Sequence, residues 1–383
     1  MNIAFDALPL IGGNMTGIGW CEAGQTTAMA RIHPENNYYY SFFSRKSSED
    51  YIKIERMQQF MQDIKPKAGH FSGLAYRTVS NFIPVPYKLF FGKDIDITHF
   101  FNYIAPPGVH GKTVITVHDM VYKAFPETVR SRTKMMLNTG LKRSMKQADI
   151  IVTDSEFSKS EIIKYFPQYQ DKIRVVLCGV DLQKFRPCQN PERIPEVKKS
   201  LGIEGEYFLY LGTIEPRKNL ERLISAYHIF AQHVKDAPKL VLAGGKGWLY
   251  DSIFQKVTDL KLTDKVIFTK YVPSEDMNPL MCGAIAFVFP SIYEGFGMPP
   301  LEAMACGVPV LASDSASLPE VTGDCAVVCD AYSEESIADG LNRLYSDTEL
   351  RSELSRRGIR RAENFTWENS AEQLYSVYKE LVK

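Results

Sequence analysis

Short apolar runs rich in β-branched residues recur along this chain and alternate with helical patterns. The runs are NIAFDA, DITHFF, TVITVHD, DIIVTDS, IRVVLCG, YFLYLG, KLVLAGG, KVIFTKYV, AIAFVFPS and VPVLASD. Segments such as KMMLNTGLKRSMKQA and NLERLISAYHIFAQHV, with apolar residues three and four apart, lie between them. The alternation predicts parallel sheets with helices on both faces, because parallel strands need a long crossover connection that is usually a helix.

The runs form two sets, which separate near residues 181–203, where Pro187, Pro191 and Pro195 cluster. We therefore predict an α/β fold of two doubly wound, Rossmann-like domains that face a central cleft. The predicted domains span 1–186 and 187–383, and a chain of 383 residues is long enough for both. The last segment has a helical pattern, so we expect a C-terminal helix over 366–383 that packs across the domains.

Composition and charge narrow the class of protein. The start, MNIAFDALPLIGG, lacks a basic segment, and no apolar run approaches the roughly 18 residues of a membrane span, so we expect a cytoplasmic protein. The seven cysteines include no C-x-x-C pair, which favours reduced thiols over structural zinc. Residues 51–150 hold 15 basic and 7 acidic side chains. This excess either attracts an anionic surface or acceptor or is ordinary scatter.

The first predicted strand-to-helix turn, PLIGGNMTGIGWCEAG, contains Gly17 and Gly19. Their spacing begins a dinucleotide fingerprint, but Glu22 occupies the third glycine position, which disfavours a nicotinamide enzyme. The two glycines either let backbone N–H groups approach a diphosphate or simply form a tight turn. Another loop, AGGKGW, lacks the ending of a P-loop, so we expect Lys246 to be a loop lysine near the cleft.

Adjacent cations follow the first strand of the second set. In GTIEPRKNLERLI, Arg217 and Lys218 come directly before a helical pattern. Cations at a helix N-terminus oppose the helix dipole, a conflict that an anionic ligand would relieve. Since arginine binds phosphate bidentately and lysine adds a point charge, a diphosphate is the expected ligand, and an exposed basic turn is the alternative.

Two glutamates flank the loop in SIYEGFGMPPLEAMACGVPVLAS, residues 291–313. Pro299 and Pro300 suit the first turn of a short helix, in which we expect Glu302 to lie. A carboxylate there can accept hydrogen bonds from the vicinal hydroxyls of a ribose. Glu294 precedes two glycines that permit close approach of a ligand, so it is placed either to accept hydrogen bonds from sugar hydroxyls or to lie near a developing positive charge. The alternative is a helix-start acid and an ordinary loop carboxylate.

These motifs together resemble glycosyltransferase family 4. The likeness rests on EGFGMPPLEA, GTIEPRKN, the GIG turn, VHD and the closing FTWENSAEQ, and it covers nearly the whole chain. The resemblance implies the GT-B fold and a retaining, metal-independent transfer of a sugar from a nucleoside-diphosphate donor, with no cofactor. The pattern DALPL…TGIG…GTIEPRKN is most similar to bacterial mannosyltransferases of surface polysaccharide assembly, so GDP-mannose is the favoured donor over UDP-glucose, UDP-N-acetylglucosamine and dTDP-rhamnose.

The resemblance also implies roles for individual residues. Glu294 would meet the 3- and 4-hydroxyls of the donor sugar, Glu302 the ribose, and Arg217 with Lys218 the diphosphate. His118, in VHD, would stabilise the transition state or orient the sugar rather than act as an obligate base. The expected catalytic residues are His118, Glu294, Arg217 and Lys218. The expected donor-binding residues are Gly17, Gly19, Arg217, Lys218, Glu294, Gly295, Phe296, Gly297 and Glu302.

Three departures from the family pattern are visible. Thr213 stands where many members have arginine, Trp20 replaces the arginine of GIGRY, and LCGVD, with Leu177 and Cys178, replaces PNGVD. The first puts more of the phosphate neutralisation on Arg217 and Lys218. The D-x-D pattern at 94–96 precedes a first-domain strand, so we do not expect a metal site there.

The acceptor side is expected in the first domain, where FSGLAYRTVSNFIPVPYKLFFGK mixes aromatic residues with separated cations. Such a segment suits peripheral contact with an anionic membrane at its inner face, which predicts a polyprenyl-linked glycan acceptor. A loop over a soluble glycan is the alternative. We expect no nucleic-acid partner. A GT-B-fold sugar-nucleotide epimerase and a non-catalytic sugar-nucleotide-binding scaffold are the competing functions.

Overall fold

The computed structural model describes residues 1–12, 15–80, 83–245 and 247–382. The chain divides into two compact units. Unit 1 comprises Met1–Gly179 and Trp367–Lys383, and unit 2 comprises Val180–Thr366. Lys246, which the sequence placed in a loop, lies outside the described residues. Among the described residues, no helix combines the length and apolar character that crossing a bilayer requires.

Unit 1 is a parallel sheet covered by helices. Its strands are β1 (Asn2–Asp6), β2 (Asn37–Ser44), β3 (Lys65–His70), β4 (Ile97–Phe100), β5 (Lys112–Thr116), β6 (Ile150–Thr153) and β7 (Ile173–Val175). Its helices are α1 (Gly17–Ile32), α2 (Ser47–Met57), α3 (Gly73–Ser80), α4 (Lys88–Phe91), α5 (Val121–Ala124), α6 (Ser131–Gln147) and α7 (Glu156–Tyr165), with the C-terminal helix (Trp367–Leu381). The strand order is β3-β2-β1-β4-β5-β6-β7, a doubly wound arrangement that reverses between β1 and β4.

The C-terminal helix belongs to unit 1. Leu374 and Tyr378 are fully buried in the same core as Phe5 of β1 and Tyr40 of β2. At Gly24 of α1, an added Cβ would lie 2.2 Å from the ring of Trp367, so the two helices approach as closely as a glycine permits. We predicted this helix at the end of the second domain and packing across the domains; the division of the chain into compact units assigns Trp367–Lys383 to unit 1.

Unit 2 has the same design. Its strands are β8 (Tyr207–Leu211), β9 (Lys239–Ala243), β10 (Val266–Lys270), β11 (Ala286–Phe289), β12 (Val310–Ser313) and β13 (Ala326–Cys329). Its helices are α8 (Arg193–Ser200), α9 (Leu220–His233), α10 (Asp251–Asp259), α11 (Met277–Cys282), α12 (Met298–Ala305), α13 (Leu318–Thr322), α14 (Glu334–Ser346) and α15 (Thr348–Ala362). The order β10-β9-β8-β11-β12-β13 reverses between β8 and β11, which are paired in parallel.

The division falls after Gly179, earlier than the predicted boundary after residue 186. Residues just beyond it are tied to unit 2: the N–H of Val180 donates to the carbonyl of Phe365 at 2.8 Å. The carbonyl of Arg186 accepts a hydrogen bond from the side chain of Asn278 at 2.7 Å. The proline cluster that suggested the later boundary marks the approach to α8, inside unit 2.

Candidate active site

The cation pair and the loop glutamate lie in the loops that follow two neighbouring strands of unit 2. Arg217 and Lys218 follow β8 in a 3₁₀ turn, Pro216–Lys218, and Glu294 follows β11. Since β8 and β11 flank the reversal in strand order, these residues occupy the carboxyl edge at the switch point, where open α/β sheets bind ligands. The two loops are joined directly, because the N–H of Ile292 donates to the carbonyl of Arg217 at 3.1 Å.

Glu294 bridges both cations. Its Oε1 atom accepts from Nζ of Lys218 at 2.7 Å, and its Oε2 atom accepts from Nη1 of Arg217 at 2.7 Å. Arg217 also donates through Nε and Nη2 to Oε1 of Glu215, at 3.1 and 2.8 Å, and through Nη1 to the carbonyl of Tyr293 at 2.7 Å. We had expected an anionic ligand to offset these two cations. In the structure the carboxylates of Glu215 and Glu294 already provide negative charge beside them.

Burial and charge act in opposite directions on this cluster. Burial alone would raise the pKa of Glu294, but the charges of Arg217 and Lys218 prevail and lower it to about 2. For Lys218, burial and the neighbouring Arg217 lower the pKa, and the two carboxylates only partly offset them. The carboxylate of Glu294 is therefore ionised at neutral pH. The charge of Lys218 is disfavoured by burial and by Arg217 and is stabilised by Glu294 and Glu215.

The GFG segment after Glu294 is held by hydrogen bonds from Ser317. The hydroxyl of Ser317 donates to the carbonyls of Glu294 at 3.0 Å and Phe296 at 2.6 Å. Gly297 caps α12 with φ of 119°, a conformation that favours glycine. The ring of Phe296 is buried beside that of Phe365, so Phe296 can meet a ligand in this conformation mainly through its backbone, as can Gly295 and Gly297.

Glu302 lies in the second turn of α12, one turn later than predicted. The helix begins at Met298, and Pro299 and Pro300 occupy its first turn, as expected. Burial raises the pKa of Glu302 to about 7, with Lys184 lowering it and Asp181 raising it to smaller extents. This carboxyl group therefore changes protonation near neutral pH, because burial disfavours its charge more than Lys184 favours it.

In unit 1, the predicted glycines form the first turn of α1. Gly17 is its first residue and is exposed, and this first turn contains no acidic residue. At Gly19 an added Cβ would lie 3.0 Å from the carbonyl oxygen of Pro9, so this glycine allows the preceding loop to pass close to the helix. The exposed side chain of Trp20 follows. Glu22, by contrast, is completely buried, and burial raises its pKa well above the usual value.

His118 follows β5 of the same unit and is held at both ring nitrogens. Nδ1 lies 2.6 Å from Oδ2 of Asp154, and Nε2 lies 2.7 Å from the carbonyl oxygen of Phe101. Burial would lower the pKa of His118, but Asp154 outweighs it and raises that pKa to about 9. Both nitrogens then donate, so His118 is an imidazolium at neutral pH and offers no lone pair to a substrate.

A thiol adjoins this pair. Ligand atoms of Cys21, His118 and Asp154 lie within 4.8 Å of one another, and Sγ of Cys178 is 3.5 Å from Sγ of Cys21. Zinc accepts such donor types. However, Asp154 and Phe101 already take both nitrogens of His118, so a metal ion would have to displace one of these hydrogen bonds. Cys178, which belongs to the departure from PNGVD, thus lies next to Cys21 and near the predicted site histidine, His118.

The D-x-D pattern has a structural role in unit 1. The carboxylate of Asp96 accepts the backbone N–H of Asn2 at 2.8 Å, and the carbonyl of Asp94 accepts the side-chain amide of Asn2 at 2.8 Å. Both residues precede β4, at the amino edge of the sheet. This edge is opposite to the one where the carboxyl ends of the strands and the switch point lie.

Sequence analysis missed two charged partners, Glu215 and Asp154. Glu215 belongs to the segment GTIEPRKN and Asp154 to the segment DIIVTDS, and each lies near the end of a predicted strand. A polar residue at the carboxyl end of a buried parallel strand is a signal that could have identified each, because that edge carries the ligand sites. Glu215 pairs with Arg217 within one loop, two residues apart, whereas the pairing of Asp154 with His118 depends on β5 and β6 being neighbours.

The chain matches two protein-family profiles. Residues 193–361 match glycosyl transferases group 1, and residues 43–184 match Glycosyltransferase Family 4. It is 36% identical over 286 residues to O-antigen chain mannosyltransferase B of Escherichia coli, covering 74% of each chain. It is 32% identical over 222 residues to O-antigen chain mannosyltransferase RfbU of Salmonella typhimurium, covering 58% of each.

Solved structures share the two-sheet architecture. Anabaena HepE in complex with UDP and glucose superposes with a TM-score of 0.73 over 100% of both chains at 16% identity. WaaG, a glycosyltransferase involved in lipopolysaccharide biosynthesis, superposes with a TM-score of 0.67 over 99% of both chains at 15% identity. At these identities the likeness shows the fold, and it confirms the predicted α/β GT-B class of two Rossmann-like domains.

Proposed function

Because this chain belongs to glycosyltransferase family 4 and is a hexosyltransferase, we propose that it transfers mannose from GDP-mannose to a polyprenyl-linked glycan, with retention and without a metal ion. The observation that carries the proposal is the buried network in which Glu294 joins Arg217 and Lys218 at the switch point of unit 2. Carboxylate and cations are the groups that sugar hydroxyls and a diphosphate require.

In this proposal Lys218 is the principal ligand of the diphosphate. Arg217 uses Nε, Nη1 and Nη2 to hold Glu215, Tyr293 and Glu294, so its main contribution is to orient Glu294 and to supply charge. Glu294 accepts hydrogen bonds from the 3- and 4-hydroxyls of the mannose. Glu302 accepts those of the ribose diol once it is ionised. Gly17 and Gly19, in the N-terminal turn of α1, remain proposed donor-binding residues.

In the proposed transfer, bond formation and bond cleavage occur on the same face of the donor sugar. The acceptor oxygen bonds to the anomeric carbon on the face from which the phosphate leaves. The breaking carbon–oxygen bond gives its electron pair to the phosphate oxygen, and that oxygen takes the acceptor proton. Lys218 and Arg217 stabilise the charge that develops on the leaving nucleoside diphosphate. His118, an imidazolium bound to Asp154, orients the donor sugar and does not act as a base.

Mannose is favoured as the sugar because the mannosyltransferases of Escherichia coli and Salmonella typhimurium are similar to this chain over more than half its length. The anomeric configuration of the product is the test of retention. An α-linked mannose from GDP-α-mannose, determined by NMR, is expected.

A lipid-linked acceptor is favoured by the surface that follows β3. Phe71, Leu74 and Leu89 are exposed apolar residues on this surface, 41%, 64% and 69% exposed, and Arg77 and Lys88 are exposed cations beside them in sequence. Each cation near an anionic bilayer contributes about 1 kcal/mol. We propose that this surface contacts the inner face of the cell membrane. Liposome sedimentation that does not change when Arg77, Lys88 and Lys93 all become Glu would count against it.

The donor assignment is tested by thermal-shift titration with a panel of sugar nucleotides, followed by a transfer assay with the one that binds. We expect GDP-mannose to stabilise the protein in proportion to the logarithm of its concentration. The variants Lys218→Ala and Glu302→Ala should lose this response, whereas Glu206→Gln, an exposed acid outside the site, should keep it. Turnover of the donor without a glycan product would favour the epimerase, and binding without turnover would favour the scaffold.

A further inference from the structure

Unit 1 contains a cavity of about 320 Å³ at the carboxyl edge of β1, β2 and β3. Asp6, the last residue of β1, lies on one side of it, and Phe43 and Phe71, from β2 and from the loop after β3, form its walls. Its volume is at the lower end of the range for small-molecule sites, roughly 300–1,000 Å³. The cavity therefore has room for part of a ligand rather than for a long glycan.

Cations dominate the polar lining. Arg45, Lys53 and Arg77 line the cavity, against the carboxyl groups of Asp6 and Glu49. Lys53 is partly neutralised, since its Nζ lies 3.6 Å from Glu49 and donates to a backbone carbonyl. The side chain of Arg45 donates to the hydroxyl of Ser72 at 2.9 Å, and its backbone N–H donates to Oε2 of Glu49 at 3.0 Å.

Arg77 is the least compensated of these cations. It attracts Asp6, yet among the described residues it forms no ion pair within 4.0 Å. Two guanidinium groups, those of Arg45 and Arg77, thus line one cavity, whose lining also contains the acids Asp6 and Glu49. Guanidinium groups bind phosphate oxygens in pairs of parallel hydrogen bonds, so this lining suits a phosphate better than a neutral sugar.

Asp6 gives the cavity a second polar feature. Burial raises the pKa of Asp6 to about 6, and Arg77 lowers it only in part. A carboxyl group that is easily protonated can remain beside an anionic ligand without full charge repulsion. It can also bind a sugar hydroxyl as donor or acceptor.

The rim of the cavity is apolar and exposed. Leu74 and Phe71 line the cavity and are 64% and 41% exposed. A cationic interior with an apolar rim matches a ligand whose phosphate is joined to a hydrocarbon chain. Neither a free oligosaccharide nor a nucleotide has this combination.

We propose that this cavity binds the diphosphate that joins the acceptor glycan to its lipid, with Arg45 and Arg77 as the phosphate ligands. The inference rests on the lipid-linked acceptor of the proposed function and assigns the residues that recognise it. The glycan then extends from the cavity along the carboxyl edge of the sheet, on which Asp6 and the start of α1 also lie.

The test compares two soluble acceptors with the full-length protein at saturating GDP-mannose: a mannose disaccharide as its hexyl diphosphate, and the same disaccharide as its hexyl glycoside. The wild-type protein should use the diphosphate with a kcat/KM at least about tenfold higher, since a hydrogen bond to a charged group contributes that much. Arg77→Gln and Arg45→Gln should each remove most of this preference by raising KM. The rate with the glycoside and the thermal shift with GDP-mannose should not change.

Lys142→Gln, an exposed cation of α6 that does not line the cavity, is the control and should behave as the wild type. Equal use of the two acceptors by the wild type, or an unchanged preference in both arginine variants, would overturn the inference while leaving the transferase intact. Inhibition by phosphatidylglycerol vesicles that disappears in Arg45→Gln, a cavity residue outside the proposed membrane surface, would assign the cavity to a membrane headgroup instead. Absence of transfer to either acceptor would reject the proposed function, and this inference with it.

Discussion

The Nζ atom of Lys218 lies 2.7 Å from Oε1 of Glu294, and the two side chains are only 10% and 9% exposed. An ion pair this deeply buried is costly to break, because removal of one partner leaves the other charge without water or a counterion. The same two residues are those proposed to meet the diphosphate and the sugar. Their effects on stability and on donor binding must therefore be measured separately.

The first prediction concerns this pair. Glu294→Gln leaves Lys218 and Arg217 with Glu215 as their remaining carboxylate, so it should lower the free energy of unfolding by about 3–5 kcal/mol. Lys218→Met should cost less, because Glu294 retains Arg217. The double variant should cost less than the sum of the two. Urea denaturation measures all three.

Lys159→Met is a matched control for these variants, because it removes a cation from a more exposed pair with Glu156. It should change stability by less than about 1 kcal/mol. Additive effects of Glu294→Gln and Lys218→Met would show that the two side chains do not interact in solution.

The second prediction is the acid response of Glu294. Its pKa is about 2 in the folded protein and 4.5 in the unfolded chain. A depressed pKa stabilises the fold above the unfolded value, and this contribution, about 3 kcal/mol, is lost as pH falls from about 4.5 towards 2. The wild type should lose stability more steeply than Glu294→Gln over this range. Parallel stability curves for the two proteins would contradict the assignment.

The third prediction has the opposite sign and concerns Glu302. Burial raises its pKa to about 7, so its contribution to stability is complete below pH 4.5 and is lost as pH rises through about 7. The free energy of unfolding of Glu302→Gln should equal that of the wild type near pH 4.5. Above pH 8 it should be higher by about 1–3 kcal/mol. The same variant should bind donor weakly at both pH values.

Thermal melting at pH 5 and pH 8 tests this prediction. Glu206→Gln, which removes an exposed acid, should shift the melting temperature equally at both. A Glu302→Gln protein that is less stable than the wild type at pH 8 would show that the carboxylate is paired in solution.

The fourth prediction concerns the charge on His118. Because Asp154 holds the pKa of this imidazole at about 9 against the effect of burial, Asp154→Asn should lower it below the ordinary 6.5. NMR titration of the ring protons, assigned with His118→Asn, measures the change directly. The stability that arises from the raised pKa is complete below pH 6.5 and is lost as pH rises through about 9. The wild type should therefore be more stable than Asp154→Asn by a smaller margin at pH 9 than at pH 6. An unchanged midpoint would rule out Asp154 as the cause.

The fifth prediction tests how the C-terminal helix joins unit 1. Alanine at position 24 would favour the helix by about 1 kcal/mol on propensity alone, but its Cβ would overlap the ring of Trp367. Gly24→Ala should therefore destabilise the protein by about 1–3 kcal/mol, and Trp367→Leu in the same chain should restore part of the loss. Gly245→Ala, with open space around the added carbon, is the control. Equal melting temperatures for the two alanine variants would show that the helices separate easily.

The strands that sequence analysis found differ physically from those it missed. Buried strands such as β8 and β11 are continuous apolar runs, because both faces of a parallel sheet are covered. The missed β3, KPKAGH, and β13 are edge strands. Edge strands tolerate Lys, Pro and partial exposure, so β3 lacks the pattern of a buried strand, whereas the edge strands β7 and β10 keep it and were found. The missed β2 is built on tyrosine and phenylalanine instead of β-branched residues.

The amino-acid sequence by itself determined the fold class and the family, and it suggested candidate site residues other than Glu215 and Asp154, because apolar periodicity and short loop motifs are local properties of the chain. Only the tertiary structure decided how those residues are charged and paired. It brought Glu294 to both cations and Asp154 to His118, across neighbouring strands and 76 and 36 residues of chain. It also set burial, which raises the pKa of Glu302 while two bound cations lower that of Glu294. Strand neighbours and burial arise from long-range packing, and no local stretch of sequence encodes them.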